Sequence, residues 1–289
     1  MRPLAEILKN ELTEEELRLV PRSYDVIGSE EKAVAIIEVP EEFGNKKALI
    51  AEAVMKLNKS VKSVLNKVSG RKGTYRLEEL ELIGGDENTE VMHKEHGYLL
   101  KLDPRKVFFS PREATERQRI ATKVKPNEVI AMFFSGVCPY AISICKKQPL
   151  VEKVYAIEIN SDAHEYAKEN VRINKFAHKI VLINDDVNKV SRDLKIKFDR
   201  IIMPIAVGGE EYLDNAFKLV KDGGIIHFYS TGKDDDLFIE AEKLVINAAI
   251  SNRKKVHIEN RTKVLPFGVR RYKICLDLMV ISDLNHRQK

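Results

Sequence analysis

The sequence predicts an α/β fold, a mostly parallel, doubly wound Rossmann-like sheet preceded by a small α+β domain. Three observations predict it. Beyond Pro111, apolar runs of strand length alternate with amphipathic helical runs, the pattern of a parallel sheet covered on both faces. Before residue 105, strand-like runs and turns follow one another without that alternation, as in an α+β unit. Carboxylates also close successive predicted strands of the second half, where an open α/β sheet binds its ligand. The expected domains are residues 1–105 and 106–289.

In the front domain Leu4, Ile7, Leu8, Leu12 and Leu19 return at helical spacing over 3–20, and Thr13 stands where a fresh cap can restart the helix. Runs 24–27 and 33–39 read as strands, 46–57 as an amphipathic helix, and 61–68, 75–83, 90–93 and 98–102 as strands separated by glycine and charged turns. In the second domain, helix 114–124 precedes strand 129–134, then the loop SGVCPYA and a helix ending near Lys147. Strands 154–157, 180–183, 198–203 and 224–229 alternate with helices 162–174 and 211–220. Helix 237–249 and the β-prone runs 254–259 and 272–279 suggest an antiparallel edge.

Hydrophobic residues at 44% and charged residues at 32% exclude a disordered chain, and no window holds the ~20 apolar residues of a membrane span. The opening helix has no signal-peptide core, so a cytoplasmic protein with no membrane partner is expected, acting as a monomer. Three cysteines without a CxxC pair and seven scattered histidines suggest neither a metal site nor a disulfide framework. Lys and Arg exceed Asp and Glu by 49 to 44, a net charge of +5 compatible with a nucleic-acid partner.

Gly136 follows the first strand of the second domain, where a missing side chain lets backbone approach a ligand and a helix N-terminus follows. Its segment lacks G-x-G-x-x-G, which disfavours a dinucleotide and an NAD-linked oxidoreductase. Glu158 closes the second strand and suits the ribose diol of a nucleotide or of AdoMet. Asp185 and Asp186 follow the third, one placed to accept from an adenine amino group, although Asp186 equally suits a helix cap. Tyr140 is a candidate pocket wall. Phe134, Val137, Pro139, Ile159 and Pro204, in the same strand-end loops, complete the expected cofactor set.

The runs HKEHGYLLKLDPRKVFFSPREATERQRIA, FFSGVCPYAI, VYAIEIN and FDRIIMPIAVGG closely resemble the archaeal tRNA guanine-37 N1-methyltransferase family, almost from the first helix onward. The resemblance implies a class I AdoMet-dependent methyltransferase sheet and methyl transfer to N1 of the guanosine 3′ of the anticodon. GVCPY, and a proline rather than asparagine after Met203, are closer to the branch that also methylates C7 of 4-demethylwyosine to give isowyosine. A related family transfers the aminocarboxypropyl arm of AdoMet to that base, and a catalytically silent tRNA-binding protein is the other alternative. Many members carry a further N-terminal domain resembling a tRNA-elbow reader, and this sequence opens near what resembles their second domain. Binding of the anticodon loop is the expected contact.

The resemblance further implies that Glu116 accepts the N1 proton and that Arg76 holds O6 as negative charge develops there. By spacing alone Glu116 equally pairs with Arg112 or Arg119 across a helix turn, and Arg76 equally faces solvent on a strand. The two roles fall in different domains, which implies a cleft that closes on cofactor and base. Lys94, Arg105, Lys106, Arg112, Arg119, Arg270, Arg271 and Lys273 are the candidate RNA contacts, positioning phosphates rather than reading bases. Proline at 204 lacks the amide with which an asparagine holds a base edge, so any base contact there falls to backbone carbonyls or another side chain.

Overall fold

The computed structural model describes residues 3–68, 70 and 78–282. The chain divides into two compact units, Met1–Arg112 and Glu113–Lys289.

The first unit opens with α1 (Pro3–Leu8) and α2 (Glu14–Leu19). They are separate helices because Thr13 caps the second. Its hydroxyl accepts from the Glu16 N–H while the Glu16 carboxylate accepts from the Thr13 N–H, a reciprocal pair that satisfies two otherwise unpaired donors. β1 (Asp25–Gly28) and β2 (Ala33–Ile37) pair antiparallel, and α3 (Lys47–Leu57) carries the chain over to β3 (Val61–Lys67), parallel to β2. β4 (Leu80–Gly85) completes the sheet in the order β1-β2-β3-β4. Leu4, Leu8, Ile37, Ile50, Val54 and Val64 pack as its core. β5 (Val91–Glu95) and β6 (Tyr98–Leu102) form a separate hairpin around His96-Gly97, both at positive φ, as the tightest right-twisted turn requires.

The second unit contains α4 (Ala114–Lys123), β7 (Val129–Met132), α5 (Pro139–Lys147), β8 (Lys153–Glu158), α6 (Ser161–Ile173), β9 (Ile180–Asn184) and α7 (Val187–Asp193). β10 (Phe198–Met203), α8 (Leu213–Leu219), β11 (Val220–Lys233), α9 (Ile239–Ser251), β12 (Lys254–Gly268) and β13 (Arg271–Ser282) follow. The seven-stranded sheet runs β12-β13-β11-β10-β7-β8-β9. The strands β7 to β11 are parallel, and β13 lies antiparallel between β11 and β12. This is the class I methyltransferase arrangement. The two late strands form the expected antiparallel margin, with β13 inside β12. β12 is the edge and continues to Gly268, past the expected run 254–259. Its pairing with β13 shifts register between Ile258 and Asn260, between Lys263 and Leu265, and between Pro266 and Gly268.

Strand alternation divides the sheet's interior into two kinds of surface. Ile201, Met203, Ile226, Phe228, Ile274, Leu276 and Leu278 share one apolar cluster with Leu213, Phe217, Ala241 and Val245 of α8 and α9. Their alternates Arg200, His227, Lys273, Cys275 and Asp277 are also buried, and a polar chain joins them to α4. Among the described residues no helix is long and apolar enough to cross a membrane.

Candidate active site

β7 has β8 on one side and β10 on the other, so the chain's winding reverses there and a crevice opens beyond the strand ends. The loop after β7 is built for close approach. Ser135 N–H donates to the Ile157 carbonyl at 2.9 Å and Phe133 N–H to the Ile202 carbonyl at 3.0 Å, which pins the loop to both neighbours. Phe134, Gly136 and Cys138 all have positive φ, at 55°, 53° and 67°. Left-handed backbone at Phe134 and Cys138 is costly for residues with side chains and concentrates at functional loops. Cys138 is the N-cap of α5 without a side-chain cap, and Pro139 opens the helix.

Glu158 closes β8 and reaches this loop. Its carboxylate accepts from the Gly136 N–H at 2.7 Å and from the Asn160 N–H at 2.8 Å. Burial raises its pKa above the ordinary carboxylate value, against the lowering effect of those backbone donors. Asn160 caps α6, and Asn170 of that helix donates to the Val137 carbonyl at 3.1 Å. Among the described residues the Ser135 hydroxyl is buried with no partner beyond the weakly polar Cys138 thiol beside it. An orphaned hydroxyl and a half-buried carboxylate at the switch point fit a nucleoside cofactor. Of the two aspartates after β9, Asp186 caps α7 through the Asn188 N–H, and Asp185 pairs with Lys189 at 2.6 Å. Ile159 is half-buried beside Glu158, and its carbonyl accepts from Asn184.

A second group of polar side chains gathers beside Pro204, just past β10. Lys273 is only 4% exposed; it pairs with Glu113 at 2.6 Å and donates to the Pro204 carbonyl at 2.8 Å. The Tyr140 hydroxyl donates to the other Glu113 oxygen at 3.3 Å, and the Tyr140 ring meets Tyr229 edge-on. Glu116, one helix turn on, is also buried. Arg119 grips both its oxygens at 2.7 Å, and the Tyr229 hydroxyl donates to Oε1. Burial pushes the Tyr229 phenol well above its usual pKa, so it stays a donor.

The match to known proteins is decisive at this point. Residues 91–260 match the TRM5/TYW2 methyltransferase domain and residues 4–89 the TYW2 N-terminal domain. The chain belongs to the TRM5/TYW2 methyltransferase family. It is 36% identical over 263 residues to the tRNA (guanine(37)-N(1))-methyltransferase Trm5b of Pyrococcus abyssi, covering 91% of this chain and 76% of that one. The crystal structure of that enzyme superposes with a TM-score of 0.83 over 93% of this chain and 78% of its own. The Trm5b of Methanocaldococcus jannaschii is 40% identical over 223 residues, 77% of this chain and 62% of that relative. The tRNA(Phe) (4-demethylwyosine(37)-C(7)) aminocarboxypropyltransferase of Pyrococcus horikoshii is 30% identical over 97% of both chains.

Several expected contacts of this TRM5/TYW2 chain take other places. Lys273 is not a surface phosphate contact, because it is buried in an ion pair. Arg119 is likewise engaged, bridging Glu116 and Asp277 with 19% of its side chain exposed. Arg112 belongs to the first unit and pairs with Asp25 at 2.5 Å, so of the two partners considered for Glu116 it is Arg119 that binds it. Lys94, Arg105, Lys106, Arg270 and Arg271 are exposed, and Arg271 donates to the Thr231 hydroxyl. Arg76 lies outside the described residues.

Sequence reasoning missed Ser135, Glu113, Tyr229 and the chain behind Glu116. The signal was present for part of it. Asp277 in ICLDLMV, His227 in GGIIHFY and Arg200 in FDRIIM are single polar residues within apolar strand runs, and such residues are buried only when partnered. The donor atoms of His227, Cys275 and Asp277 lie within 4.8 Å of one another. Asp277 is hydrogen-bonded to both of the others, and Arg200 lies against the far imidazole nitrogen.

One consequence is open to calorimetry. Because Glu158 protonates above the usual carboxylate range, AdoMet affinity is expected to weaken as pH falls toward that raised value, as the charged acceptor is lost. Glu158→Gln is expected to lower affinity about 10-fold or more at neutral pH and to flatten this dependence. Unchanged affinity in the variant would remove Glu158 from the cofactor site.

Proposed function

We propose that this chain methylates N1 of guanosine 37 in tRNA with AdoMet as donor, and that 4-demethylwyosine at the same position is a further acceptor. The observation that carries the reading is the buried Glu113 at the N-cap of α4 with Glu116 one turn on, Glu113 being tied through Lys273 to the Pro204 carbonyl and through Tyr140 to α5, which follows the loop after β7. It sets acid-base groups beside strand ends suited to a nucleoside cofactor. The family match, with Trm5b enzymes among its relatives, supports the same reading.

AdoMet, when bound, supplies a methyl group already activated on a sulfonium. The chain supplies position and a proton acceptor. Ser135, Gly136 and Glu158 would hold the nucleoside, with Tyr140, Val137 and Pro139 as walls. Asp185 or Asp186 would accept from the adenine amino group: both Asp185 oxygens already accept, from the Asp186 N–H and from Lys189, and one Asp186 oxygen caps α7.

Neutral guanine carries a proton on N1, which must leave as the nitrogen lone pair takes the methyl. Glu116 is the proposed acceptor. A carboxylate has about four lone-pair positions. Arg119 occupies one on each oxygen and Tyr229 a second on Oε1, which leaves Oε2 with the free position. Arg76 takes the role of stabilising O6, by its match to the family's arginine. The exposed Lys94, Arg105, Lys106, Arg270 and Arg271 are proposed to hold the anticodon stem-loop by its phosphates, the front domain taking part in that binding.

A second reading has a specific observation behind it, the match of residues 4–89 to a TYW2 N-terminal domain. Aminocarboxypropyl transfer adds a much heavier group than methyl. Nucleoside mass spectrometry after incubation with AdoMet, using one tRNA bearing guanosine 37 and one bearing 4-demethylwyosine, therefore separates the readings. Methylguanosine is expected from the first substrate and a methylated tricycle from the second. An aminocarboxypropyl adduct would transfer the assignment to the second reading, and no adduct on either would leave a silent tRNA-binding protein.

A further inference from the structure

Behind Glu116 runs a buried polar chain that the proposed reaction does not use directly. Arg119 lies between two carboxylates, gripping Glu116 with two donors at 2.7 Å and Asp277 at 2.7 and 3.3 Å. Asp277 sits on β13 with 1% of its side chain exposed. It also receives the His227 Nδ1 hydrogen at 2.6 Å and pairs with Lys123 at 3.2 Å. The far nitrogen of His227 meets Arg200 Nη1 at 2.6 Å, and Arg200 is gripped by Glu128 at 2.7 and 2.8 Å.

The protonation pattern follows from these neighbours. Burial, with the Arg200 cation against Nε2, pushes His227 down to about 4, although the Asp277 hydrogen bond pulls the other way. His227 is thus neutral, with Nδ1 donating to Asp277 and Nε2 accepting from Arg200. Burial opposes charge on Asp277, yet its donors hold it ionised, far below the usual carboxylate range. One guanidinium is shared by two carboxylates.

We propose that Asp277 is a positioning residue for the methyl transfer: it holds Arg119 in its bidentate grip on Glu116 and draws off part of the guanidinium's charge, keeping Glu116 an effective proton acceptor. This rests on Glu116 being the acceptor. A guanidinium facing a single carboxylate would make that carboxylate a weaker base. The groups around Glu116 are Arg119 on its own helix, Glu113 at that helix's N-cap, Tyr229 on β11, Cys275 and Asp277 on β13, and Tyr140 on α5. Of these, Asp277 is the one whose charge reaches Glu116 through Arg119.

The test is the single-turnover rate of methyl transfer to a guanosine-37 transcript as a function of pH, with AdoMet affinity measured alongside. Asp277→Asn removes the competing anion, and its rate is expected to fall about tenfold with the acid limb moved down by about one pH unit. Lys123→Met removes a cation from the far side of Asp277, at a half-exposed position. Its acid limb is expected to move the other way, by a few tenths of a unit, with AdoMet affinity unchanged in both. Opposite displacements distinguish charge sharing from a packing defect. Limbs that stay in place or move in the same direction overturn the proposal, and if Asp277→Asn does not fold, an unmoved limb in Lys123→Met does so alone. Glu116→Gln is the control. Full activity there would overturn the proton-acceptor reading itself, whereas an inactive Glu116→Gln beside unmoved limbs would overturn only the role of Asp277.

Discussion

Glu116→Gln is expected to slow methyl transfer by roughly 10²–10⁴-fold, the usual worth of a positioned general base, while AdoMet affinity changes little. The substitution keeps the side chain's shape, and the hydrogen bonds of Glu116 go to Arg119 and Tyr229 rather than to the cofactor loop around Gly136 and Glu158. What is lost is the negative charge and the open position on Oε2. The variant also leaves Arg119 facing one carboxylate, Asp277, instead of two. A moderate loss of stability, about 1–3 kcal/mol, should accompany the kinetic defect. Single-turnover kinetics and thermal melting on the same preparation separate the two effects. A rate within a few-fold of the parent would return Glu116 to a purely structural pairing with Arg119.

Lys273→Met should have the largest effect on stability. The ammonium is buried against Glu113 and holds the Pro204 carbonyl, so its removal leaves a carboxylate uncompensated in the interior. Breaking a buried pair on one side costs about 3–5 kcal/mol. At about 2–4 °C per kcal/mol for a domain of this size, the melting temperature should drop by roughly 10 °C. The double variant Glu113→Leu/Lys273→Met should recover much of that loss, because no lone charge remains. Weakened tRNA binding without a change in melting would instead restore Lys273 to the phosphate-contacting group with Arg270 and Arg271.

The outcome for Lys273 shows where sequence reasoning stops. In RRYKIC it reads as one more member of a basic cluster, and only the folded sheet shows that it is buried on the same face of β13 as Cys275 and Asp277, while Arg271, on that face at the first residue of the strand, stays exposed. The parallel sheet was legible because its strands are short apolar runs between well-marked helices. Gly136 and Glu158 were legible because strand ends are where such sheets bind ligands. The polar chain was not, since Glu113 and Arg119 look like solvated helix residues until their partners Lys273 and Asp277 on β13 are known. Backbone conformation was equally hidden: nothing in FFSGVC distinguishes Phe134 and Cys138 as left-handed. Asp186 was poised between ligand contact and helix cap, and its commitment to the Asn188 N–H became visible only with α7 in place.

The irregular pairing of β12 bears on how the molecule behaves in a crowded solution. An exposed outer strand with an even ladder of free peptide groups invites another chain to extend the sheet. β12 breaks its rhythm three times along its length. Past the first break Arg261 stands opposite Leu276, turns toward α9 and binds Glu242 at 2.6 Å, while Asn260 reaches Asp277 at 3.4 Å. A strand whose register is broken in this way offers an incoming chain no even row of partners. The same kinks that tie the margin of the sheet to its interior network therefore also guard the protein against sheet-to-sheet aggregation.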